Sequence, residues 1–382
     1  VTLTVDGKPV TAGKVMLGDT VTVTMTLSGN EKYKCILDGT PIATDNSAGK
    51  AMATFKVTGD HTLTCATTYA VVVSVQDGGE DTTVKLLNGA GEEIERKTGA
   101  SVTFTLSTGT YYLSAENDTY LSVPVRITVN ADGTVTGNKA LELTKRKITS
   151  EHGTFDVTTG SYLLPSGFEN YGVIGGATVG QDQAFIVTGE FKDMSSSDMS
   201  SKEPFAGFKI STNSNTYLRF GIRWERSQNK YVFKVWHWFG NQVAYTQDLT
   251  LASDAMQGEN TVKVAIAYKD GTYHIFLNGE LLVSLSETAT VEGGTTTVKD
   301  AIGTSGNKEI GFFSEHQIKI VDWDFSTDSA EIDHYFVSTE ITVGGSESAT
   351  AKLIAGGAEY TLTEGKWSGT LPVGLMSRWT QW

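Results

Sequence analysis

Apolar residues in this chain recur at every second position, in short runs, and almost nowhere at a helical spacing. TLTVDG (2–7), DTVTVTMTLSG (19–29), SVTFTLS (101–107), TYLRFGIRW (216–224) and YVFKVWHWF (231–239) all alternate in this way. A period of two puts successive side chains on opposite faces of a strand. Valine and threonine dominate the runs, which favours strands further. No stretch sustains a 3.6-residue apolar period, so long helices are not expected. With 41 glycines and 6 prolines, the chain has many tight turns to place between the runs. The expected fold class is therefore all-β. The 382 residues exceed one ordinary β domain and predict two to four.

The formal net charge of -14 repels phosphate backbones, which argues against a nucleic-acid partner. No apolar run is long enough to cross a membrane as a helix, so no membrane insertion is expected. The chain begins at Val1 rather than Met and reads as a mature or excised piece of a longer protein. Its acidity is spread without long runs, as in a secreted or surface protein. The only cysteines, Cys35 and Cys65, cannot make a zinc site by themselves. They are either bridged or two buried thiols.

Four modules are expected. Residues 1–69 contain five short alternating runs and resemble the bacterial immunoglobulin-like sandwiches of surface proteins. The GDHTLT run at 59–64 matches that family's turn before the penultimate strand, and the resemblance puts Cys35 and Cys65 on neighbouring strands. Residues 70–145 carry GTYYLSAENDTYLSV at 109–123 and resemble prealbumin-like spacer modules of the collagen-adhesin B type. That resemblance implies a stalk role and makes Lys85, Glu116 and Asn138 the nearest candidates for an isopeptide crosslink, with a solvated Lys85 and Glu116 as the plainer reading. AKLIAGGA at 351–358 and TLPVGLMSR at 370–378 repeat VKLLNGAG and TLSTGTYYL, so 336–382 reads as a partial copy of the spacer.

Residues 146–335 form the largest module. NTVKVAIAYKDGTYHIFLNGELLVSL at 260–285, followed by EIGFFSE and IKIVDWDFS, is similar to the hairpins and closing strands of concanavalin A-like lectin/glucanase sandwiches, including laminin-G-like modules. The resemblance implies a two-sheet jelly roll. The fold hosts lectins, enzymes and adhesive modules alike.

The Tyr217–Trp238 hairpin is the expected ligand surface. Alternation sends Leu218, Phe220, Ile222 and Trp224 to the core, with Tyr231, Phe233, Val235 and His237 opposite them. It turns Arg219, Arg223, Lys234, Trp236 and Trp238 to the other side, where Lys234 marks the face as solvated. Sugar rings stack their C–H faces on flat aromatics and take charged hydrogen bonds at their hydroxyls. His274 is a further candidate for that groove. The competing structural reading buries both tryptophans beneath a loop or a neighbouring module.

Catalysis is not expected. The E-x-D-x-x-E strand of jelly-roll glucanases has its nearest counterpart at Glu331–Phe336, where Phe336 replaces the last carboxylate. Asp322 and Asp324 share a face as a metal pair or a polar edge. Calcium is an open alternative, with residues 193–203 as a weak loop candidate. No Ser-His-Asp arrangement is recognisable. The expected function is a non-catalytic carbohydrate-binding module on a bacterial surface or secreted protein, bound to a polysaccharide or host glycan. A protein-binding adhesin and a structural stalk or fibre are the alternatives, with a glycoside hydrolase behind them.

Overall fold

The structure is a computed structural model. It describes residues 1–10, 15–27, 31–47, 49–165, 170–194, 204–213, 216–237, 242–291, 296–342, 352–355, 358–361 and 366–372. The described chain is almost wholly β-strand, and the all-β expectation holds. It divides into two compact units, 1–117 with 121–144, and 118–120 with 145–382.

The first unit is built around one long strand, Leu63–Gln76. Its first half pairs antiparallel with Glu31–Leu37 and its second half with Ser101–Ser107. Residue 69, the expected module boundary, falls inside this strand. A cluster of Val21, Val23 and Val57 touches its first residue, Leu63, and two more form along its length. One gathers Met25, Cys35, Ala51 and Ala53, the other Tyr69, Val71, Val73, Phe104, Leu113 and Ile127 among others. Cys35 and Cys65 face each other in register and are bridged, with Cα atoms 4.1 Å apart. Lys85 and Glu116 form an ion pair at 2.9 Å, while the Asn138 side chain accepts the Ala140 N–H within its own turn. Lys85 and Glu116 are thus part-buried and paired with each other, not freely solvated as the plainer reading expected.

The second unit contains a sandwich of two seven-stranded sheets. Its longer strands are labelled here in chain order: β1 Asn170–Val179, β2 Phe185–Lys192, β3 Phe205–Asn213, β4 Thr216–Glu225, β5 Lys230–His237, β6 Gln242–Asp248, β7 Val262–Lys269, β8 Thr272–Leu277, β9 Glu280–Ser286, β10 Lys308–Ser314 and β11 Ile318–Ser326. One sheet runs Ile148–Thr149, β1, β10, β3, β4, β5, β6. The other runs Thr154–Asp156, Ser161–Leu164, β11, β2, β7, β8, β9. Leu218, Phe220, Ile222, Trp224, Tyr231, Phe233 and Val235 line the inner face of the first sheet, as alternation predicts. They meet Phe185, Val187, Ile266, Tyr273 and Ile275 of the second. Gly189 leaves room within this layer, because a Cβ there would come within 2.8 Å of Phe191 and 2.9 Å of Phe208. The unit also holds two short helices, α1 Val298–Ile302 and α2 Ser329–Asp333, and two antiparallel strand pairs, Phe336–Thr342 with Lys366–Pro372 and Lys352–Ala355 with Ala358–Thr361.

One inward position carries a charge. Lys308 is 1% exposed, and its Nζ has no hydrogen-bond partner. It lies 3.9 Å from the centre of the Tyr268 ring. Burial pulls its ammonium down to about 8.

Two stability results are expected. The bridge closes a 30-residue separation, so reducing it should cost the first unit about 3–4 kcal/mol. All seven tryptophans lie from residue 224 onward, so circular dichroism should show the lower melting transition while tryptophan fluorescence stays unchanged. For Lys308, the unfolded chain holds its proton to higher pH than the folded chain, so its cost is full below about pH 8 and fades as pH rises toward the ordinary lysine range. Lys308→Met should therefore stabilise the second unit by about 2–3 kcal/mol at pH 7. Denaturation followed by tryptophan fluorescence should show that gain shrinking by pH 10.

Candidate functional site

Four of the expected site residues meet on the outer face of the first sheet. Arg219 pairs in register with Trp236, and Gly221 with Lys234. The Arg219 and Arg223 guanidinium carbons lie 5.9 and 5.7 Å from the centre of the Trp236 ring. This face is not the open platform expected. Arg219 is 0% exposed. It donates to Glu315 Oε1 at 2.7 Å and to the Tyr171 hydroxyl at 2.9 Å, among the Tyr171, Tyr217 and Phe313 rings. The reason is local. Gly221 carries no side chain, and a Cβ there would meet the Ala206 carbonyl at 2.3 Å and the Phe313 ring at 3.0 Å. Aromatics thus close over the centre of the sheet. A guanidinium so enclosed is stable only because its fork is hydrogen-bonded and its charge paired.

Arg223 and Lys234 are largely buried and converge on Glu225, at 3.6 and 2.5 Å. Trp236 is half-buried and lies beside Phe205, with ring centres 5.9 Å apart. Trp238 lies outside the described residues. His237 is half-buried, and burial lowers its basicity.

His274 belongs to neither that face nor open solvent. It sits on the outer side of the second sheet, 5% exposed, hydrogen-bonded to Ser284 Oγ at 2.8 Å and covered edge-on by Phe336 at 5.0 Å. Burial, with Lys269 nearby, pulls its imidazole down to about 4.

What covers His274 also borders two concavities among the described residues. Outward positions of β7 are small, Ala265 and Ala267. Ile332 of α2 drops onto them, against Ile186, Phe276 and Leu281. Asp333 is tied to Lys269 Nζ at 2.6 Å, and Tyr335 meets Phe276 edge-on at 5.2 Å. The segment 329–336 thus straps across the sheet, and two hollows of about 220 and 260 Å³ open beside it. Thr188 and Tyr335 line both. The first adds Glu190, Lys263, Asp322 and Phe276. The second adds Asp324, Ser326, Glu331 and His334.

Register explains the alignment. Thr188 pairs with Asp324 and Glu190 with Asp322, across β2 and β11. Glu190 accepts from Thr261 Oγ1 at 2.6 Å and pairs with Lys263 at 3.2 Å. The Thr261 hydrogen bond, with Lys263 behind it, holds its carboxyl below the ordinary range. Asp324 opens to solvent on one side, yet partial burial pushes its carboxyl up. Asp322 pairs with Lys145 at 3.3 Å. These carboxylates offer acceptors, and Lys263 a donor, to a hydroxylated ligand. The sequence pairing of Asp322 with Asp324 pointed toward this face. The strap was not anticipated, although Ala265 and Ala267 among bulky neighbours are its trace.

Among the described residues no group of three or more His, Cys, Asp or Glu side chains could hold a metal ion. Most of the loop candidate for calcium, 193–203, lies outside them. In the first unit a chain of contacts joins Thr58 Oγ1 to His61 Nε2 at 3.3 Å and His61 Nδ1 to Asp38 Oδ2 at 2.6 Å. It has the order of a nucleophile triad. However, Nε2 already accepts the Thr58 backbone N–H at 3.0 Å, so the group clamps a turn.

No protein-family model and no curated protein sequence matches the chain. Solved structures do. The carbohydrate recognition domain of Emp46p, potassium-bound, aligns at 10% identity and a TM-score of 0.29, over 47% of this chain and 88% of that one. The binding domain of botulinum neurotoxin serotype G aligns at 9% and 0.30, over 56% and 50%. A xylan β-1,4-xylosidase from Bacillus halodurans C-125 aligns at 10% and 0.31, over 82% and 85%. The expectation that this chain is not an enzyme is corrected here, since a glycoside hydrolase stands among the structures it resembles.

The buried His274 gives a pH signature. Between about pH 6.5 and 4 the unfolded chain takes up a proton that the folded chain refuses, so stability falls as pH falls, by up to about 3 kcal/mol. Urea titrations followed by tryptophan fluorescence at pH 7, 5.5 and 4.5 should show this slope. His274→Gln should flatten it.

Proposed function

We propose that the chain binds carbohydrate, and that the groove beside the 329–336 strap is where it does so. One observation carries this reading: two hollows, lined by carboxylates and an ammonium, share the aromatic side chain of Tyr335. Sugar hydroxyls suit Glu190, Asp322, Asp324 and Lys263, while the apolar face of a ring suits the part-exposed Tyr335, which the buried Phe276 backs. The Cys35–Cys65 bridge supports an oxidising compartment, so we place the protein outside the cytoplasm.

A second reading keeps the ligand at the hairpin. It draws on the half-buried Trp236 with Arg223 and Lys234 at its side. A polysaccharide and glycan array separates the two. Glu190→Gln combined with Asp324→Asn should weaken glycan binding at least tenfold, with an unchanged melting temperature, while Trp236→Ala retains it. The opposite pattern would move the site to the hairpin. Saturable cell binding that survives glycan removal, with no array hit, would replace the carbohydrate with a protein partner.

A further inference from the structure

The two hollows beside the strap lie end to end along the same pair of strands. Ile186, Thr188 and Glu190 are successive outward residues of β2, facing Ser326, Asp324 and Asp322 of β11. The second hollow takes the Ile186–Ser326 end and the first takes the Glu190–Asp322 end. Thr188 is common floor, and Tyr335 is common wall. Ile186 is itself buried against Ile332, so the open floor is the β11 side, and at about 3.3 Å per residue it runs about 13 Å from Ser326 to Asp322. That is longer than one sugar ring. The charge along it is lopsided. Glu190, Asp322, Asp324 and Glu331 line the hollows, against Lys263 in the lining and Lys145 paired with Asp322 from behind, so carboxylates remain in excess.

We infer that the hollows are two subsites of one groove, which takes a linear, uncharged oligosaccharide of at least two rings across the Tyr335 side chain. This rests on the carbohydrate reading above and deepens it. Each ring would meet its own set of carboxylates. The linkage between them would cross at Thr188, beneath the Tyr335 ring, whose position Phe276 and the seated Ile332 fix. The unbalanced carboxylates would repel a polyuronate, because bringing like charges together in a part-buried site is costly.

Titration calorimetry on the whole chain tests this with glucose, cellobiose and cellohexaose, xylose, xylobiose and xylohexaose, and pentagalacturonate. The neutral hexamer of one series should bind at least tenfold more tightly than its monosaccharide, and pentagalacturonate should not bind. Glu190→Gln and Asp324→Asn should each weaken the hexamer about fivefold, since each damages a different subsite. Tyr335→Ala should remove most of the length dependence, and Tyr335→Phe should keep it. The latter preserves the ring and checks that any loss is not misfolding. Equal affinity for hexamer and monosaccharide, sensitivity to only one of the two carboxylates, or tight binding of pentagalacturonate would overturn the inference while leaving carbohydrate binding intact. If none of the seven probes binds, both readings fall.

Discussion

Ile332 seated over Ala265 and Ala267 decides the shape of the second sheet's outer face. Burying that one side chain contributes about 1.5–3 kcal/mol, and the rest follows from its position. Asp333 reaches Lys269, Tyr335 reaches Phe276, and Phe336 reaches His274. A bulkier residue at 265 or 267 would lift the strap. Tyr335 would then no longer stand between Glu190 and Asp324, and the hollows would lose their shared wall.

The two outer faces of this sandwich solve opposite problems. On the first sheet, aromatics close over Arg219, and Glu315 with Tyr171 satisfies it. Its charge is spent inside the protein, where it fixes ring positions. On the second sheet, small residues let a piece of the chain cover part of the face, and the carboxylates on either side stay near water. Asp324 and Glu190 are neighbours on that face, yet their environments push them in opposite directions.

Alternation was enough to sort the inner face of the hairpin. Leu218, Phe220, Ile222 and Trp224 are core because a period of two cannot place them elsewhere once one of them is inward. It was not enough for Arg219. Alternation assigns a side of the sheet and is silent on whether that side is open, which here depends on Phe313 and Tyr171, strands away in sequence. Lys234 misled for the same reason, since its ammonium pairs with Glu225 across a turn. The cysteine bridge was legible as one of two alternatives, and direct register of residues 35 and 65 settles it. The strap was the least legible part. Its helix spans only five residues, too few for any periodic signal, and its docking surface is defined by what is missing from Ala265 and Ala267.

In the first unit, the strand Leu63–Gln76 serves both apolar clusters along its length and changes partner midway. It also runs parallel to Ala140–Glu142 at its far end. A pull along this strand would load successive backbone hydrogen bonds in shear, all at once, instead of peeling them singly. The Cys35–Cys65 bond stops extension within the first ladder. The two halves would therefore answer a pull differently, the bridged ladder holding while the unbridged ladder with Ser101–Ser107 and the cluster around Phe104 give way.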